Sequence, residues 1–477
     1  MISMETTLLG QASRLEHDFL GERAIPENAY YGIQTLRALE NFDITGIPLK
    51  AEPLFVQALA YVKKAAALAN RDLGVLDATI AEYIARACDR VIAGELDDQF
   101  LTDMIQGGAG TSVNMNANEV IANVALELMG HQKGQYEFCH PNNHVNCSQS
   151  TNDAYPTAFR IALNNKLVSY RYALEVLADA FAQKGEEFRN VLKMGRTQLQ
   201  DAVPMSMGDE FKAFATNLRE ELLRIDDSRQ LIREINMGAT AIGTRVNAPE
   251  GYAELVTHYL RDLTGLELML AGDLIEATYD TGAYVQLSGV LKRTAVKLSK
   301  ICNDLRLLSS GPRAGFNEIN LPPLQPGSSI MPGKVNPVVP EVVNQTAFYV
   351  IGADLTVTMA AEAGQLQLNV MEPVISFALF TSISYMTRAC HTLRDKCVVG
   401  ITANAQHAQQ LVYNSVGIVT QLNPVLGYET SAEIAKEALR TGKSVHDVAV
   451  TERKLLTQEK WDEIFTFENL IRPHFIQ

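Results

Sequence analysis

Apolar residues recur every three or four positions along several long stretches of the chain, and these stretches contain few internal Gly or Pro residues. This spacing is typical of amphipathic helices. It predicts helices over residues 53–70, 154–192, 206–236, 282–310, 340–364 and 373–399. Strict alternation of apolar and polar residues is rare, and no strand–helix–strand unit is visible, so the pattern predicts a mainly α fold.

The five later helices are predicted to be unusually long. Roughly 25 to 30 residues is well above the globular mean of about 11 to 12, and helices of that length usually belong to a bundle. Several are apolar on more than one face, as in residues 342–361, which would leave apolar surface exposed in a monomer. We therefore expect subunits to associate through this bundle.

Gly, Pro, Asn and Ser residues are concentrated between the helices, where they predict loops. The four predicted loops cover residues 106–116, 140–156, 194–204 and 321–337. Because loops held by rigid elements often carry binding and catalytic side chains, we expect the chemistry of this chain to lie there.

Composition and charge narrow the classes of function. With 47% apolar and 20% charged residues, the 477-residue chain is typical of a globular protein, and its length favours about three regions over a single core. The formal charge of -14 argues against binding to nucleic-acid phosphates or to an anionic membrane. An anionic substrate would have to be held by a few local cations and many neutral donors.

Six cysteines without a paired spacing favour free thiols in a reducing compartment. Cys88, Cys302 and Cys390 lie in helical runs and are expected in the core. Residues 1–20 carry acidic side chains and no sustained apolar run, so we do not expect a secretory signal there. The longest uncharged apolar stretch, residues 373–387, is shorter than the ~18 to 20 residues that span a bilayer.

The most informative loop reads GSSIMPGKVNPVVPE and covers residues 327–341. Its prolines exclude a helix interior. Gly327 and Gly333-Lys334 approach a phosphate-binding loop, but there is one residue too many, and Val335 replaces the hydroxyl that would hold Mg²⁺. A purely structural loop before a helix stays open on this segment alone.

GSSIMPGKVNP resembles the signature of the aspartase/fumarase superfamily, whose members carry out β-eliminations that commonly release fumarate. The resemblance extends over nearly the whole chain. It includes the segments GGAGTSVNMNANEV (107–120), HVNCSQSTNDAYPT (144–157), KMGRTQLQDAVPM (193–205), GPRAGFNEINLP (311–322) and EAGQLQLNVMEPVI (362–375).

Two branches of the superfamily remain close, the one that releases ammonia from L-aspartate and the class II fumarases. GAGTSVNMN, STNDAYP and Gln198 resemble the first branch. Fumarases, and some members of the first branch, carry histidine at the position of Gln198. The resemblance implies a carbon–nitrogen lyase. Its reaction would be the reversible anti elimination of ammonia from L-aspartate to fumarate through an aci-carboxylate intermediate.

The resemblance also implies roles for ten residues. Hydroxyls would bind the β-carboxylate and stabilise its developing charge, Ser328 would be the general base, and a cation and an amide would bind the α-carboxylate. Serine is not basic at neutral pH, so the loop would have to lower the pKa of Ser328. The β-carboxylate ligands are Thr111, Ser150, Thr151 and Ser329; the α-carboxylate ligands are Lys334 and Asn336; Asn152, Thr197 and Gln198 contact the amino group or the α-carboxylate.

The implied fold has three regions: a mostly helical N-terminal domain (1–149), a central long-helix bundle with the serine loop (150–402), and a small helical C-terminal domain (403–477). In the family the loops of one active site come from different chains, which implies a homotetramer with composite active sites. We expect a cytoplasmic enzyme that needs no cofactor and has no nucleic-acid or membrane partner. Activation by a divalent cation such as Mg²⁺ is left open.

Two site readings outside the family are weak. Cys139, His140, His144 and Cys147 include the ligand types that bind zinc, but no second spaced pair accompanies them. The glycines of residues 106–111 follow no predicted strand, which argues against a dinucleotide-binding loop.

Two functional alternatives stay open. A fumarase-type hydratase is opposed by Gln198, and a non-enzymatic helical scaffold is opposed by the intact Ser328, Lys334 and Asn336.

Overall fold

The computed structural model describes residues 12–472. The prediction that residues 1–20 are not a secretory signal therefore falls largely outside the described residues. Within residues 12–472, no helix is long and apolar enough to cross a membrane.

Helices dominate the structure, and the predicted mainly α fold is confirmed. Each of the six predicted helices is present, with ends shifted by a few residues. The helices are α1 (Ile33–Asn41), α2 (Pro53–Asp72), α3 (Ala78–Ile92), α4 (Thr111–Leu128), α5 (Thr151–Glu187), α6 (Met207–Ile232), α7 (Tyr252–Thr264), α8 (Glu276–Tyr279), α9 (Gly282–Leu308), α10 (Val338–Glu362), α11 (Glu372–Lys396), α12 (Ala405–Asn414), α13 (Asn423–Leu426), α14 (Tyr428–Thr441), α15 (Gln458–Ile464) and α16 (Phe467–Ile471).

The strands of the described chain are short and pair two by two. The pairs β1–β2, β3–β4 and β7–β8 are antiparallel, and β5–β6 is parallel. Their bounds are β1 (Ser13–Asp18), β2 (Gly21–Pro26), β3 (Leu192–Thr197), β4 (Gln200–Ser206), β5 (Glu234–Ile235), β6 (Met269–Leu270), β7 (Ile319–Asn320) and β8 (Thr402–Ala403).

The chain forms two compact units, each built from separate stretches of sequence. The first unit comprises the described chain up to Arg171, Leu223–Arg293 and Tyr349–Tyr385. The second unit comprises Tyr172–Leu222, Thr294–Phe348 and the described chain from Met386 to Arg472. The three-region division stays a prediction.

Aromatic rings fill the core of the first unit. Phe55 of α2 lies edge-on to Tyr155 of α5, with ring centroids 5.2 Å apart, and 5.3 Å from Phe380 of α11. The Tyr155 hydroxyl is hydrogen-bonded to Ser376 Oγ at 2.9 Å. Edge-to-face aromatic pairs favour one packing arrangement, so the start of α5 is fixed against α2 and α11.

In the second unit, apolar residues of the C-terminal helices pack against strand β3. Leu192 and Met194 are buried in one cluster with Trp461 and Phe465, whose rings stack at 3.9 Å. The first residues of β3 are therefore held in the core, although its last residue, Thr197, is exposed.

Two of the predicted loops are shorter than expected because helices begin inside them. Helix α4 already begins at Thr111, and α5 begins at Thr151 and continues through Pro156. Proline lacks the N–H that would bond the carbonyl of Asn152. Asn236 Nδ2 donates to that carbonyl instead, at 3.0 Å, which lets the helix tolerate the proline.

Candidate active site

The ten predicted site residues fall into two groups, one in each compact unit. Both groups lie at the ends of regular elements or in the loop before α10. The first unit holds Thr111, Ser150, Thr151 and Asn152; the second holds Thr197, Gln198, Ser328, Ser329, Lys334 and Asn336.

A polar cleft of about 580 Å³ in the first unit brings together three of its four predicted residues, Thr111, Ser150 and Thr151. Its lining otherwise consists mainly of amides, small polar side chains and a few apolar groups. None of the described residues that line it is Asp, Glu, Lys, Arg or His. The cleft can therefore offer an anion neutral donors at close range.

Thr111 is placed by two glycines in left-handed conformations. Gly108 has φ +97° and Gly110 has φ +92°, which favours glycine at both positions. A Cβ on Gly110 would lie 2.3 Å from Cδ2 of Tyr155, so the backbone runs directly against that buried ring. Helix α4 begins at the next residue, and Thr111 is exposed in its first turn, with Oγ1 donating to the Gly108 carbonyl at 2.7 Å.

Ser150 and Thr151 are placed by a reciprocal cap at the start of α5. Asn152 N donates to Ser150 Oγ at 3.2 Å, and Ser150 N donates to Asp153 Oδ1 at 2.9 Å. Ser150 thus caps the N–H of the second helical residue, and Asp153, the third helical residue, reaches back to the N–H of Ser150, in a variant of the capping box. Since the N-termini of α4 and α5 both reach the cleft, the positive ends of their helix dipoles favour an anion there.

Asn152 is not among the residues that line the cleft. Its Nδ2 donates to the Ala241 carbonyl at 2.8 Å, so the amide holds the 240–241 segment in this structure. A direct contact of Asn152 with substrate stays a prediction.

Asp153 connects the start of α5 to the backbone of residues 238–240. Its side chain is fully buried, and Oδ2 accepts from Gly238 N at 3.2 Å and Thr240 N at 2.8 Å. Burial raises the pKa of Asp153 to about 6, against the lowering effect of the backbone donors, led by Ser150 N. The carboxylate joins the start of α5 to the wall of the cleft.

In the second unit, Thr197 and Gln198 lie at the tip of a β-hairpin, so the prediction of a loop over residues 194–204 was wrong. Strands β3 and β4 are joined by Gln198 and Leu199 alone, with φ +52° and +62°. Left-handed conformations at both positions match the twist of paired strands but cost energy without glycine or asparagine. Strain of this kind is common at functional sites.

Buried ion pairs hold the β3–β4 hairpin in place. Glu318 is fully buried, with its carboxylate 2.8 Å from Arg196 Nη1 and 3.3 Å from Lys193 Nζ. These contacts are ion pairs without hydrogen-bond geometry. Lys193 also pairs with Glu210 at 2.5 Å, and the Arg196 guanidinium lies 4.2 Å from the Phe316 ring centroid. Strand β3 is thereby tied to the segment that precedes the serine loop.

The serine loop closes on itself at its base. Gly327 N donates to the Lys334 carbonyl at 2.7 Å, and Asn336 Nδ2 donates to the Gly327 carbonyl at 2.8 Å. A Cβ on Gly327 would lie 2.8 Å from Cγ of Asn336, so this closure requires glycine. The predicted residues Ser328, Lys334 and Asn336 are thus brought together in one closed loop.

Two backbone donors point at the hydroxyl of Ser328. Ile330 N and Met331 N donate to Ser328 Oγ at 3.2 and 3.1 Å. Such donors favour negative charge on the oxygen they contact. Ser328 is half-buried, whereas Ser329 and Lys334 are exposed, so their side chains are available to a ligand.

The predicted residues do not include three buried charges that contact the site segments, Lys63, Asp153 and Glu318. A signal existed for Lys63, because it lies four residues from both Leu59 and Ala67 on the apolar face of a predicted helix. For Asp153 and Glu318 the partners are distant in sequence or are backbone groups, so no local pattern indicates their burial.

The two histidines that were considered as zinc ligands, His140 and His144, accept hydrogen bonds from backbone N–H groups in a turn. His140 Nδ1 accepts from Asn142 N at 3.0 Å, and His144 Nδ1 accepts from His140 N at 2.9 Å. Between residues 12 and 472, no group of three or more His, Cys, Asp or Glu side chains could hold a metal ion.

Two family models match most of the sequence. Residues 21–352 match the family model described as Lyase, and residues 418–472 match that of the fumarase C C-terminus. The chain belongs to the aspartase/fumarase superfamily.

Similar proteins are found at high identity over almost the full length. Aspartate ammonia-lyase of Helicobacter pylori is 59% identical over 461 residues, which cover 97% of this chain and 98% of that protein. Aspartate ammonia-lyase of Escherichia coli is 57% identical over 463 residues, 97% of each chain.

Solved structures share the fold. The cobalt-bound crystal structure named fumarate lyase:delta crystallin from Brucella melitensis has a TM-score of 0.93 at 53% identity, covering 96% of this chain and 99% of that one. Class II fumarase from Schistosoma mansoni has a TM-score of 0.91 at 35% identity, covering 97% and 100%.

Proposed function

We propose that this protein is an aspartate ammonia-lyase, which eliminates ammonia from L-aspartate to give fumarate and catalyses the reverse addition. The observation that carries the proposal is the closed serine loop, in which two N–H groups point at Ser328 Oγ. The near full-length similarity to aspartate ammonia-lyases supports the choice of substrate.

The Cβ proton of aspartate is too weakly acidic for removal unless the neighbouring carboxylate takes up the developing charge. Preorganised donors aimed at that charge are the most effective catalytic device for such a step. The hydroxyls of Thr111, Ser150 and Thr151, at two helix N-termini in an uncharged cleft, suit this task. We assign the β-carboxylate to this cleft.

Ser328 is proposed as the base that removes the Cβ proton from the face opposite the amine. The alkoxide it needs would be stabilised by the N–H groups of Ile330 and Met331. Ser329 in the same loop would complete the β-carboxylate donors. The proposed chemistry requires no cofactor, and activation by a divalent cation such as Mg²⁺ stays open.

Lys334 and Asn336 are proposed to bind the α-carboxylate. Lys334 is exposed and contributes a point cation, which an acidic protein with a formal charge of -14 needs to hold a substrate with two carboxylates. Thr197 and Gln198, at the strained hairpin tip, are assigned to the amino group or the α-carboxylate. Gln198 cannot act as histidine does in a hydratase, which favours ammonia over water as the leaving group.

A cytoplasmic homotetramer with composite active sites is part of the proposal. Large apolar side chains are exposed along one long helix, α10, where Phe348, Leu355 and Met359 are 62%, 61% and 64% exposed. Apolar side chains repeated along a long helix suit packing against other helices in a bundle. Subunit association would cover this surface.

The test is fumarate formation followed by its ultraviolet absorbance, with L-aspartate in one cuvette and L-malate in a second. Fumarate from aspartate, with an equal amount of ammonia, is the expected result. Fumarate from malate alone would make the protein a hydratase and refute the proposal.

A further inference from the structure

Lys63 of α2 is a fully buried lysine with a complete set of partners. Its side chain has no solvent exposure, and Nζ donates to Asn114 Oδ1 at 2.6 Å, Asn146 Oδ1 at 3.0 Å and Gln149 Oε1 at 2.8 Å. An ammonium group has three donors, so each of them is used.

The orientation of the amides fits this arrangement. Asn114 Nδ2 and Asn118 Nδ2 both donate to Asn146 Oδ1 at 3.1 Å, which turns the oxygen of Asn146 toward Lys63. The Oδ1 of Asn118 is buried without a hydrogen-bond partner, but all three donors of Lys63 are used, and such buried contacts favour one arrangement of the segments they join.

The three acceptors belong to the segments that carry the cleft hydroxyls. Asn114 lies one turn after Thr111 on α4, and Gln149 directly precedes Ser150. Asn114, Asn146 and Gln149 line the cleft themselves. Lys63 therefore lies one side-chain layer behind the cleft wall and joins its two hydroxyl-bearing segments.

A buried cation is costly unless something compensates it. Burial lowers the pKa of Lys63 to about 7, and the buried Asp153 carboxylate acts in the opposite direction. A methionine of similar length would avoid the cost of burial, so a lysine at this position is favourable only if its charge brings a gain elsewhere. A dianionic intermediate in the adjacent uncharged cleft would supply that gain by favouring the charged lysine.

We propose that Lys63 is a positioning residue which holds the Thr111 and Ser150 segments together and places a positive charge behind the aci-carboxylate without touching it. The inference rests on the proposed function. It predicts that Lys63 contributes little to the binding of a ground-state dicarboxylate and much to the binding of the intermediate, because the charge of the carboxylate grows between the two.

The test compares Lys63→Met with Lys64→Met. Lys64 is the adjacent lysine, pairs with Asp89 on the surface at 2.5 Å, and makes no hydrogen bond to the cleft segments. Inhibition constants are measured for succinate, a ground-state mimic, and for the nitronate of 3-nitropropionate, whose planar anion resembles the aci-carboxylate. Since inhibition constants do not depend on the amount of folded enzyme, a simple folding defect leaves both unchanged.

In Lys63→Met we expect kcat to fall about 10²-fold, as for a misplaced catalytic group. Nitronate binding should weaken by a similar factor, succinate binding by less than about 3-fold, and Lys64→Met should match the parent within about 2-fold. If Lys63→Met does not fold, Lys63→Gln, which keeps a donor, is measured instead. Unchanged nitronate binding, or equal losses for both inhibitors, would overturn the role of Lys63.

Turnover of L-aspartate by the unsubstituted protein is measured first. Its absence would refute the proposed function, and with it the role of Lys63 in that reaction, but not the placement of a positive charge behind the cleft. In that case nitronate and succinate binding are compared by calorimetry, where the same difference between the two anions is expected for Lys63→Met.

Discussion

Gly110→Ala tests how the cleft is built, because this glycine connects a strained backbone, a buried ring and a site residue. Gly110 has φ +92° and precedes Thr111, and an added Cβ would lie 2.3, 2.6 and 2.7 Å from three ring atoms of Tyr155. Tyr155 is fully buried, and its hydroxyl is hydrogen-bonded to Ser376, so the ring cannot move away freely.

The magnitude follows from two contributions. A left-handed conformation costs a non-glycine residue about 1–2 kcal/mol. Overpacking of a filled core adds about 1–3 kcal/mol. Gly110→Ala is therefore expected to lower the free energy of unfolding by about 2–5 kcal/mol, and displacement of Thr111 should lower kcat/KM by about 10²-fold.

Gly130→Ala is the matched control. Gly130 follows the other end of the same helix, α4, and has a similar φ of +84°, but nothing lies within 4 Å of an added Cβ. Only the backbone cost of about 1–2 kcal/mol is expected there, with kcat/KM unchanged. Both variants are compared by urea unfolding followed by circular dichroism and by the fumarate assay. Equal losses of stability, or full activity in Gly110→Ala, would refute the reasoning.

Further substitutions test the second unit and the acid stability of the first. Ser328→Ala should lower kcat by at least about 10²-fold with an unchanged circular dichroism spectrum; a near-normal kcat would refute its role as the base. Lys334→Ala should raise KM for L-aspartate by about 10- to 150-fold through loss of a charged hydrogen bond, and an unchanged KM would mean that another cation binds the substrate. Leu199→Val should destabilise the hairpin by about 1 kcal/mol, whereas Leu199→Asn, which tolerates the left-handed conformation, should not; urea unfolding distinguishes the two. Burial raises the pKa of Asp103, but hydrogen bonds led by that from Ile105 N outweigh it and hold the pKa below the usual 3.8. The ionised carboxylate therefore stabilises the fold above about pH 4, and this contribution is lost as the pH falls further. Asp103→Asn should therefore be less stable than the parent at pH 7, with a difference that shrinks below pH 4 in urea titrations; a constant difference would contradict this.

The long helices could be predicted because their period of 3.6 residues extends over many turns. The ends of these helices could not be predicted in the same way, because capping interactions decide where a helix begins and ends. Helix α5 begins at Thr151 because the side chains of Ser150 and Asp153 cap its first turn, yet residues of these types are equally common in turns.

The hairpin that carries Gln198 could not be predicted from turn chemistry. A two-residue turn of this kind normally contains glycine or asparagine, and Gln198-Leu199 contains neither. The ion pairs of Glu318 with Arg196 and Lys193, which hold the hairpin, join residues more than 120 positions apart. Tertiary contacts of that range leave no trace in a local pattern.

The site residues were predicted from a resemblance and not from periodicity. The structure brings Thr111, Ser150 and Thr151 into one cleft and Ser328, Lys334 and Asn336 into one loop. Their contacts with a substrate stay predictions. The position of Lys63 on the apolar face of α2 is a local signal that indicates its burial.

The measurement that tests the central claim most directly is the reverse reaction, with fumarate and ammonium in D₂O followed by nuclear magnetic resonance. The account predicts aspartate with one deuterium at Cβ, as a single diastereomer from addition of ammonia and deuteron to opposite faces, and no malate. Malate as the product, or a mixture of both deuterated diastereomers, would contradict it.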